Sequence, residues 1–440
     1  MLEKLFNLSK KGTNVKTEIL AGLTTFLAMA YILGVNPGIL GGDITGMPMN
    51  SVFIATAVSA GVASILMGIL ANYPIGLAPG MGVNALFTYT VCLVYGYTFQ
   101  EALAAVMLSG IVFIVISISG IRKLIITMIP KDLKLAIGAG IGFFIAFIAL
   151  KNAEIIVASD ATFVALGDLS NPAVLLAVVG IIATVILLVK QVNAAPFFGL
   201  VITAVLGLIL GAFGVEGMPT LPDSIFTSDF SLETFGAFAT GFKSLFSHSN
   251  WFLVLFSFLF VDFFDTAGTL VAVGNNIGLV DKDGNMENIE KAFLADSVGT
   301  VVGAALGTST VTSFVESGAG VAAGGKTGLT AVTTGVCFLL SILISPLVLS
   351  VATSAVTAPA IFVVGILMAK QLKEISWDNT AIAASAFITV IMMILTYSIS
   401  DGIAFGFIFY GVSMIAAGKA KQVSPIMWAL ILIFLVYFLA

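Results

Sequence analysis

Three carboxylates interrupt long apolar stretches of this sequence. Asp262 and Asp265 lie in the apolar run Trp251–Val273, and Glu316 lies in the weakly hydrophobic stretch Thr308–Gly325. An ionisable group at membrane depth is costly, so it normally faces a bundle interior or a water-filled cavity and marks a substrate or proton path. Because Asp262 and Asp265 are at i and i+3, they share roughly one face of a helix, where mutual repulsion favours the uptake of a proton. The pattern predicts ligand hydrogen bonding and proton loading.

The composition bounds the class of protein. Of the 440 residues, 59% are hydrophobic and only 9% are charged, and the mean hydropathy is +1.14. No soluble domain has this balance, so we predict an all-α polytopic membrane protein whose surroundings are the lipid bilayer. We expect no nucleic-acid partner, no metal site and no cofactor, with a proton as the coupling ion, and we do not expect an enzyme.

Apolar segments that could cross or enter a bilayer recur along the whole chain. A crossing needs about 20 residues, so several segments must be tilted, broken or half-spans. The pattern predicts about fourteen spans plus a C-terminal segment that either crosses the membrane or lies along it. The segments are 17–40, 49–70, 75–95, 100–121, 132–151, 171–190, 195–214, 250–273, 290–307, 308–324, 327–350, 353–370, 379–398, 401–418 and 425–440.

The basic residues predict the orientation. With a cytoplasmic N-terminus and alternating spans, all of the 18 Lys and Arg residues except Lys151 and Lys243 fall on the cytoplasmic side. Membrane proteins carry their excess of positive charge on that side. We therefore expect a multi-pass protein of the cytoplasmic membrane with its N-terminus inside and two long external loops, 152–170 and 215–247.

The polar stretch 215–247 divides the chain into two similar halves, and the third span of each half is a poor helix. In the first half, Tyr73–Thr90 contains prolines and glycines before Asn84; in the second, Gly307–Gly325 contains β-branched residues before Glu316. Each segment predicts an extended piece followed by a half-helix, and such paired interruptions indicate a transporter site between repeats. An odd number of spans in each half requires opposite topologies, which predicts two inverted repeats.

Asn84 and Glu316 occupy matching positions at the start of the two half-helices. The free backbone N–H groups and the positive dipole end there suit either helix capping or ligand binding. Capping alone stays open for Asn84, whereas Glu316 indicates a functional role because capping needs no buried charge. A purely structural bond from Asp265 to neighbouring backbone or to Thr266 also stays open. Asp296, in the next span, is predicted to brace the helix that carries Asp265.

Two further features are expected to carry no chemistry. The segment Gly320–Thr327 (GVAAGGKT) matches the phosphate-binding loop pattern. Such a loop needs a soluble α/β domain behind it, and apolar spans flank this one, so we interpret Lys326 as the cytoplasmic boundary of the next span. His248, the only histidine, precedes a span without metal-ligand neighbours and is expected to be an exposed loop residue.

Three motifs together carry a family resemblance. The segments GLAPGMGVNALFTY (76–89), FVDFFDTAGTL (260–270) and TSTVTSFVESGAGVAAGGKTGLTAV (308–332) resemble the AzgA-type purine permeases, a branch of the nucleobase:cation symporter-2 (nucleobase–ascorbate) superfamily. The resemblance extends over essentially the whole chain. It implies two inverted seven-span repeats with short strands in the third and tenth spans, an elevator-like motion of a core domain against a gate domain, and a homodimer.

The resemblance also implies how the two domains divide the chain. Residues 1–130 would form the first part of the core domain, and 131–247 the first part of the gate domain with the external loop. Residues 248–350 would complete the core domain, and 351–440 would complete the gate domain with the C-terminal segment.

By motif position, the resemblance implies roles for individual residues. Asp262 and Glu316 would hydrogen-bond a purine base, and Asn84 would support them from the third span. The full set of expected substrate contacts is Asn84, Asp262, Phe314, Val315, Glu316, Phe26 and Thr266. The expected proton-coupling residues are Asp262, Asp265 and Glu316, and the expected structural supports are Asp296 and Gly82.

The chemistry of a purine base suits these residue types. The base is a flat, neutral heterocycle, so carboxylates can accept hydrogen bonds from its ring N–H groups while aromatic side chains stack on its faces. The expected function is proton-coupled import of hypoxanthine, guanine or adenine. A pyrimidine, xanthine or anion carrier on the same fold, a nucleotide-binding membrane enzyme and an ion channel are the alternatives.

Overall fold

The computed structural model describes residues 2–119, 129–276 and 286–439. Arg122, Lys123 and Lys282, which contribute to the predicted orientation, lie outside the described residues. Helices dominate the first half of the chain. They are α1 (Leu2–Phe6), α2 (Val15–Met29), α3 (Ile32–Leu40), α4 (Met49–Leu70), α5 (Met81–Ala85, continued as a π-helix over Leu86–Val94), α6 (Phe99–Ser119), α7 (Lys131–Asn152), α8 (Pro172–Val189) and α9 (Ala195–Ala212).

The second half follows the same plan. Its helices are α10 (Phe238–Leu245), α11 (Trp251–Asn276), α12 (Ile289–Leu306), α13 (Ser317–Ala322), α14 (Gly328–Ser341), α15 (Ser345–Val351), α16 (Ser354–Ala369), α17 (Thr380–Leu395), α18 (Ile399–Ala416) and α19 (Pro425–Leu439). There are also four short strands, β1 (Leu77–Pro79), β2 (Ile156–Ser159), β3 (Phe163–Leu166) and β4 (Val311–Ser313). Three short 3-10 helices complete the described structure: Ile342–Ile344, Lys370–Glu374 and Ala420–Gln422. Strands β2 and β3 form an antiparallel hairpin in the first predicted external loop.

The helices account for most of the predicted spans. Among the described residues, ten helices are long and apolar enough to cross a membrane, and shorter apolar helices cover Met81–Val94, Thr380–Leu395 and Pro425–Val436. The C-terminal helix α19 packs against α18. The ring centroid of Phe434 lies 5.4 Å from that of Phe407 and 5.5 Å from that of Phe256, so the last apolar segment is part of the packed bundle.

Polar side chains mark where several spans begin. Asn171 accepts a hydrogen bond from the Ala173 backbone N–H (2.9 Å), with proline at the first helical position of α8. Asn379 caps α17 in the same way, accepting from the Ala381 N–H (3.2 Å). Asn and Pro at these positions satisfy or remove backbone donors that a helix start leaves unpaired, so the apolar spans start at defined residues.

The third and tenth spans are broken, as predicted. Strands β1 and β4 pair antiparallel, with Leu77 opposite Ser313 and Pro79 opposite Val311. Each strand leads directly into a half-helix, β1 into α5 and β4 into α13. Because the strands are antiparallel, the two half-helices extend from the β1–β4 pair in opposite directions, with their N-termini near it.

The long helices pack in two groups. In one group, α14 packs against α2 and α4, and α6 packs against α12; in the other, α7 packs against α16 and α17, and α8 against α9 and α16. Glycines allow the closest approaches. A Cβ atom on Gly68 would lie 2.3 Å from the Gly328 carbonyl oxygen, and one on Gly365 would lie 2.6 Å from the Gly142 carbonyl oxygen. The division of the chain into core and gate domains matches these groups in outline and stays a prediction.

His248 is not the exposed loop residue that the sequence suggested. Its imidazole stacks on the Tyr97 ring with a centroid distance of 3.9 Å. Its Nε2 lies 3.3 Å from a carboxylate oxygen of Glu101, and its side chain is 29% exposed. The pairing joins the start of α6 to the segment that precedes α11, two elements far apart in the sequence.

Candidate functional site

A cavity of about 760 Å³ lies beside the paired strands β1 and β4. Residues of 80–82, 312–316 and α11 line one side, and residues of α7 and α16 line the other. The volume falls within the roughly 300–1,000 Å³ that small-molecule sites occupy. The cavity reaches Lys131 and Glu374, which form an ion pair (3.2 Å) and whose side chains are 71% and 61% exposed, so the cavity opens at that end of the molecule.

Glu316 stands at the entry to α13 and lines the cavity. It makes no capping bond to the helix; its Oε1 instead accepts a hydrogen bond from the Tyr31 hydroxyl (2.6 Å). Tyr31 lies between α2 and α3 and lines the same cavity. Sequence reasoning missed Tyr31. The available signal was a phenol in the middle of an apolar span, where its hydroxyl needs a hydrogen-bond partner.

The two aspartates of α11 have different surroundings. Asp265 lines the cavity together with Glu316. Asp262 does not line it: its side chain is 1% exposed, and its Oδ2 accepts a hydrogen bond from the Thr300 hydroxyl of α12 (2.9 Å). The cavity therefore brings Asp265, and not Asp262, next to Glu316.

Thr266 and Asp296 belong to a buried network behind β4. The Thr266 hydroxyl donates to Asp296 Oδ1 (2.7 Å), and the Ser313 hydroxyl donates to the same oxygen (3.2 Å). Thr266 Oγ1 also lies 2.7 Å from the Thr312 hydroxyl oxygen. These bonds join α11, α12 and β4, and the bracing role of Asp296 stays a prediction. Thr266 itself is buried and does not line the cavity, whereas Thr312 and Ser313 do.

The residues of the third span are placed around the opposite strand. Asn84 is fully buried, and its Oδ1 accepts a hydrogen bond from the Ser309 hydroxyl, so its side chain joins the two broken spans and does not cap α5. Asn84 does not line the cavity, but Gly82 does. A Cβ atom on Gly82 would lie 2.6 Å from Cγ2 of Ile141, so glycine allows α5 to approach α7.

Aromatic and apolar side chains complete the cavity wall. Phe314 and Val315 line it, and Val315 is 53% exposed. Phe26 does not line it and packs edge-on against Phe338, with ring centroids 5.1 Å apart. Phe264 of α11 lines the cavity and was not among the predicted contacts; its position one residue before Asp265 is the sequence signal that could have identified it.

This arrangement can bind a small planar molecule that donates hydrogen bonds. The Asp265 and Glu316 carboxylates line the same cavity, so they can accept from N–H groups, and charge-assisted bonds of this kind are stronger than neutral ones. The Phe264 and Phe314 rings offer apolar surface for a flat ring system. A bundle with oppositely directed broken spans around such a cavity defines a membrane transport protein of the permease class.

Comparison with known proteins identifies the family. A profile of the Permease family matches residues 16–405. The chain is 48% identical over 446 residues to the guanine/hypoxanthine permease PbuG of Bacillus subtilis, covering 100% of this chain and 99% of that protein. It is 39% identical over 435 residues to the adenine permease AdeP of Escherichia coli, covering 99% and 95% of the two chains. The chain belongs to this permease family of the nucleobase:cation symporter-2 type, as the motifs indicated, and it is a multi-pass transporter and not an enzyme.

Solved structures confirm the fold. The transmembrane domain of the cyanobacterial bicarbonate transporter BicA has a TM-score of 0.66 at 16% identity, covering 89% of this chain and 97% of that one. The structure of SLC26A9 has a TM-score of 0.63 at 12% identity, covering 92% of this chain and 66% of that one. These proteins share the arrangement of two inverted seven-span repeats, so the predicted fold class is confirmed.

Proposed function

We propose that this protein imports purine nucleobases together with protons. The observation that carries the proposal is that Asp265 and Glu316 line one cavity beside the paired strands β1 and β4. The names of the relatives support the substrate class, since they are permeases for guanine, hypoxanthine and adenine. A neutral base with several N–H donors suits a site that holds the acceptor carboxylates of Asp265 and Glu316.

In this proposal Asp265 and Glu316 contact the base directly. Each accepts a hydrogen bond from a ring or exocyclic N–H, while Phe264, Phe314 and Val315 cover the faces of the ring. Asp265 takes the role that the family resemblance implied for Asp262, because Asp265 lines the cavity and Asp262 lies behind it.

The remaining predicted residues act indirectly. Asn84 holds the two broken spans together through Ser309, and Thr266 and Asp296 hold β4 in place. Phe26 supports the packing of α2 against α14. Each role is tested by whether the substitution changes the Michaelis constant (KM) for the base or only the amount of folded protein.

Proton coupling follows from the same pair of carboxylates. Two negative groups in one low-dielectric cavity repel each other, and a proton on either one relieves that repulsion. Protonation together with base binding neutralises the site, which favours its movement through the membrane. Asp262, buried beside Thr300, is a second place where the coupling proton could reside.

An elevator-like motion is supported by the position of the cavity between the two helix groups. At the opposite end of α7 from Lys131, four residues form what we call the external contact. Asn152 donates from its side chain to the Tyr89 hydroxyl (2.6 Å), and the Tyr95 hydroxyl donates to Asp401 (2.8 Å). The first bond joins the third span to α7, and the second joins it to α18, which packs against α7 and α17 of the same group. We propose that they close the external side while the cavity is open to the cytoplasm.

The carboxylates argue against an anion carrier on the same fold. An anion brought beside Asp265 and Glu316 would meet like charge in a low-dielectric site. The likeness to anion transporters is at 16% identity or less and concerns the fold alone. Xanthine and pyrimidines stay as competing substrates and belong in the same uptake screen.

Uptake by purified protein in proteoliposomes tests the proposal. Labelled hypoxanthine, guanine and adenine should accumulate under an inward-directed proton gradient, and a protonophore should abolish the accumulation. Asp265→Asn and Glu316→Gln should lose uptake, whereas Asp168→Asn in the external loop should not. Uptake that neither cavity substitution changes would contradict the proposed site. Uptake that the protonophore does not change would contradict proton coupling.

The location and assembly of the protein are part of the same proposal. We place it in the cytoplasmic membrane with the N-terminus inside, which makes the open end of the cavity, beside Lys131, the cytoplasmic end. Labelling of cysteines introduced at each end in intact cells tests this orientation. A homodimer is expected, and its mass in detergent or nanodiscs tests that expectation.

A further inference from the structure

Tyr31 connects the first span to the carboxylate of the tenth. Its hydroxyl donates a hydrogen bond to Glu316 Oε1 (2.6 Å), and its ring is buried at the junction of α2 and α3. The pair therefore joins residues 285 positions apart in the chain. Both side chains line the cavity, so this bond is made within the proposed substrate site.

The surroundings of Tyr31 keep the bond in place. Helix α2, which ends two residues before Tyr31, packs closely on α13: a Cβ atom on Gly320 would lie 2.0 Å from the Thr25 hydroxyl oxygen. In the first turn of α2, the Glu18 carboxylate accepts hydrogen bonds from the Thr330 hydroxyl (2.6 Å) and the Lys326 backbone N–H (3.0 Å). Two separate contacts thus hold α2 against the tenth span and the loop that follows it.

The bond to Tyr31 changes what Glu316 can offer a ligand. A free carboxylate can accept two parallel N–H groups, one on each oxygen. Here Oε1 already accepts from Tyr31, which uses one of the two lone pairs on that oxygen and makes it the poorer acceptor for a second donor. The carboxylate is therefore better suited to one N–H donor than to two adjacent ones.

Purine bases differ in this property. Guanine carries two adjacent donors, the ring N1–H and the exocyclic amine, which match both oxygens of a free carboxylate. Hypoxanthine has the N1–H but lacks the amine, so it needs one oxygen. We propose that Tyr31 is a specificity-determining residue that lowers the affinity for guanine relative to hypoxanthine by competing for one oxygen of Glu316. This inference rests on the proposed function, since it assumes that purines bind beside Glu316.

Competition between the two bases in proteoliposomes tests the inference. Tyr31→Phe keeps the ring and removes only the hydroxyl. Tyr73→Phe is the matched control, because Tyr73 is also buried but its hydroxyl donates to the Glu287 carbonyl oxygen and does not line the cavity. The measured quantity is the ratio of the KM values for guanine and hypoxanthine in each variant.

Tyr31→Phe should shift this ratio in favour of guanine by about tenfold, the effect of roughly one hydrogen bond to a charged group. Tyr73→Phe should leave the ratio unchanged. If Tyr31→Phe does not transport, the ratio of binding constants from thermal shifts of the purified variant replaces the KM ratio. Equal changes for both bases, or no change, would overturn the specificity role, because a merely structural tyrosine would affect both alike.

The experiment distinguishes a failure of this inference from a failure of the proposed function. Wild-type protein that binds and transports neither base would contradict the proposed function itself. Wild-type protein that transports both bases, with a ratio insensitive to Tyr31→Phe, would contradict only the role of Tyr31.

Discussion

Asp262 and Asp265 stand about one turn apart on α11, and their carboxylates lie in different environments. Asp265 lines the cavity, whereas Asp262 is buried against the Thr300 hydroxyl of α12. Residues at i and i+3 on a helix differ in direction by about 60°, which follows from 3.6 residues per turn. At the edge of a cavity this rotation is enough to place one side chain in the cavity and the other in the packed interior.

Asp265→Asn should therefore weaken purine binding much more than Asp262→Asn. Loss of a charge-assisted hydrogen bond corresponds to about 1.5–3 kcal/mol, or a rise in KM of roughly ten- to a hundredfold. Asp262→Asn keeps an oxygen that can accept from Thr300, so binding should change little. Equilibrium binding of labelled hypoxanthine to the two purified variants measures this directly, and equal losses would contradict the assignment of Asp265 to the site.

Two glycines at the cavity allow a matched test of its packing. Gly82→Ala places a methyl group 2.6 Å from Ile141 Cγ2 and should destabilise the protein by about 1–3 kcal/mol. Gly268 also lines the cavity, but a Cβ atom there has nothing within 4 Å. Gly268→Ala should leave the melting temperature unchanged or raise it slightly, because alanine is the better helix former. Thermal unfolding of both variants in the same detergent decides, and equal melting temperatures would refute the contact with α7.

The Glu18 carboxylate should stabilise the glycine-rich segment before α14, where it occupies the position that a phosphate has in a phosphate-binding loop. Its carboxylate accepts from the backbone N–H groups of Lys326 and Thr327 and from the Thr330 hydroxyl. Glu18→Ala leaves these donors without a partner and should lower stability by at least about 2 kcal/mol. In the described structure the Lys326 ammonium donates only to the Gly12 carbonyl oxygen. Lys326→Ala should therefore change the stability little.

The same carboxylate explains why this segment should not bind nucleotides. Since Glu18 already accepts from the backbone N–H groups that a phosphate would need, ATP should not raise the melting temperature of the wild-type protein. A clear thermal shift with ATP that Lys326→Ala abolishes would revive the nucleotide-binding alternative.

Weakening the external contact should favour the outward-open state. Tyr95→Phe removes the bond to Asp401, whereas Tyr97→Phe removes a bond to Asn250 that does not join the two helix groups. The reporters are single cysteines replacing Ala358, at the external end, and Leu367, in the cavity, in a background without the native cysteines.

With an impermeant thiol reagent, Tyr95→Phe should label faster at position 358 from outside and slower at position 367 from inside. The shift should be about tenfold or more, since a hydrogen bond to a charged group contributes about 1.5–3 kcal/mol. Tyr97→Phe should match the parent protein. Unchanged labelling in both variants would show that this bond does not hold the external side closed.

Much of the fold follows from the sequence alone. The apolar runs define the spans, because a bilayer requires about 20 apolar residues for each crossing. The prolines and glycines before Asn84 and the β-branched residues before Glu316 mark the two broken spans, because neither composition favours a continuous helix. The family motifs then identify the permease class, and Glu316 is recognised as a residue of interest because a buried charge is too costly to be incidental.

Only the tertiary structure decides how the polar groups divide between the cavity and the interior. The partner of Glu316 is Tyr31, the partner of Asn84 is Ser309, and Glu18 binds the loop before α14. Each of these contacts joins residues more than 200 positions apart. Helical periodicity describes which side chains share a face, but it contains no information about which face meets the cavity. That depends on how α11 is rotated against α12 and β4, and this rotation places Asp265, and not Asp262, beside Glu316.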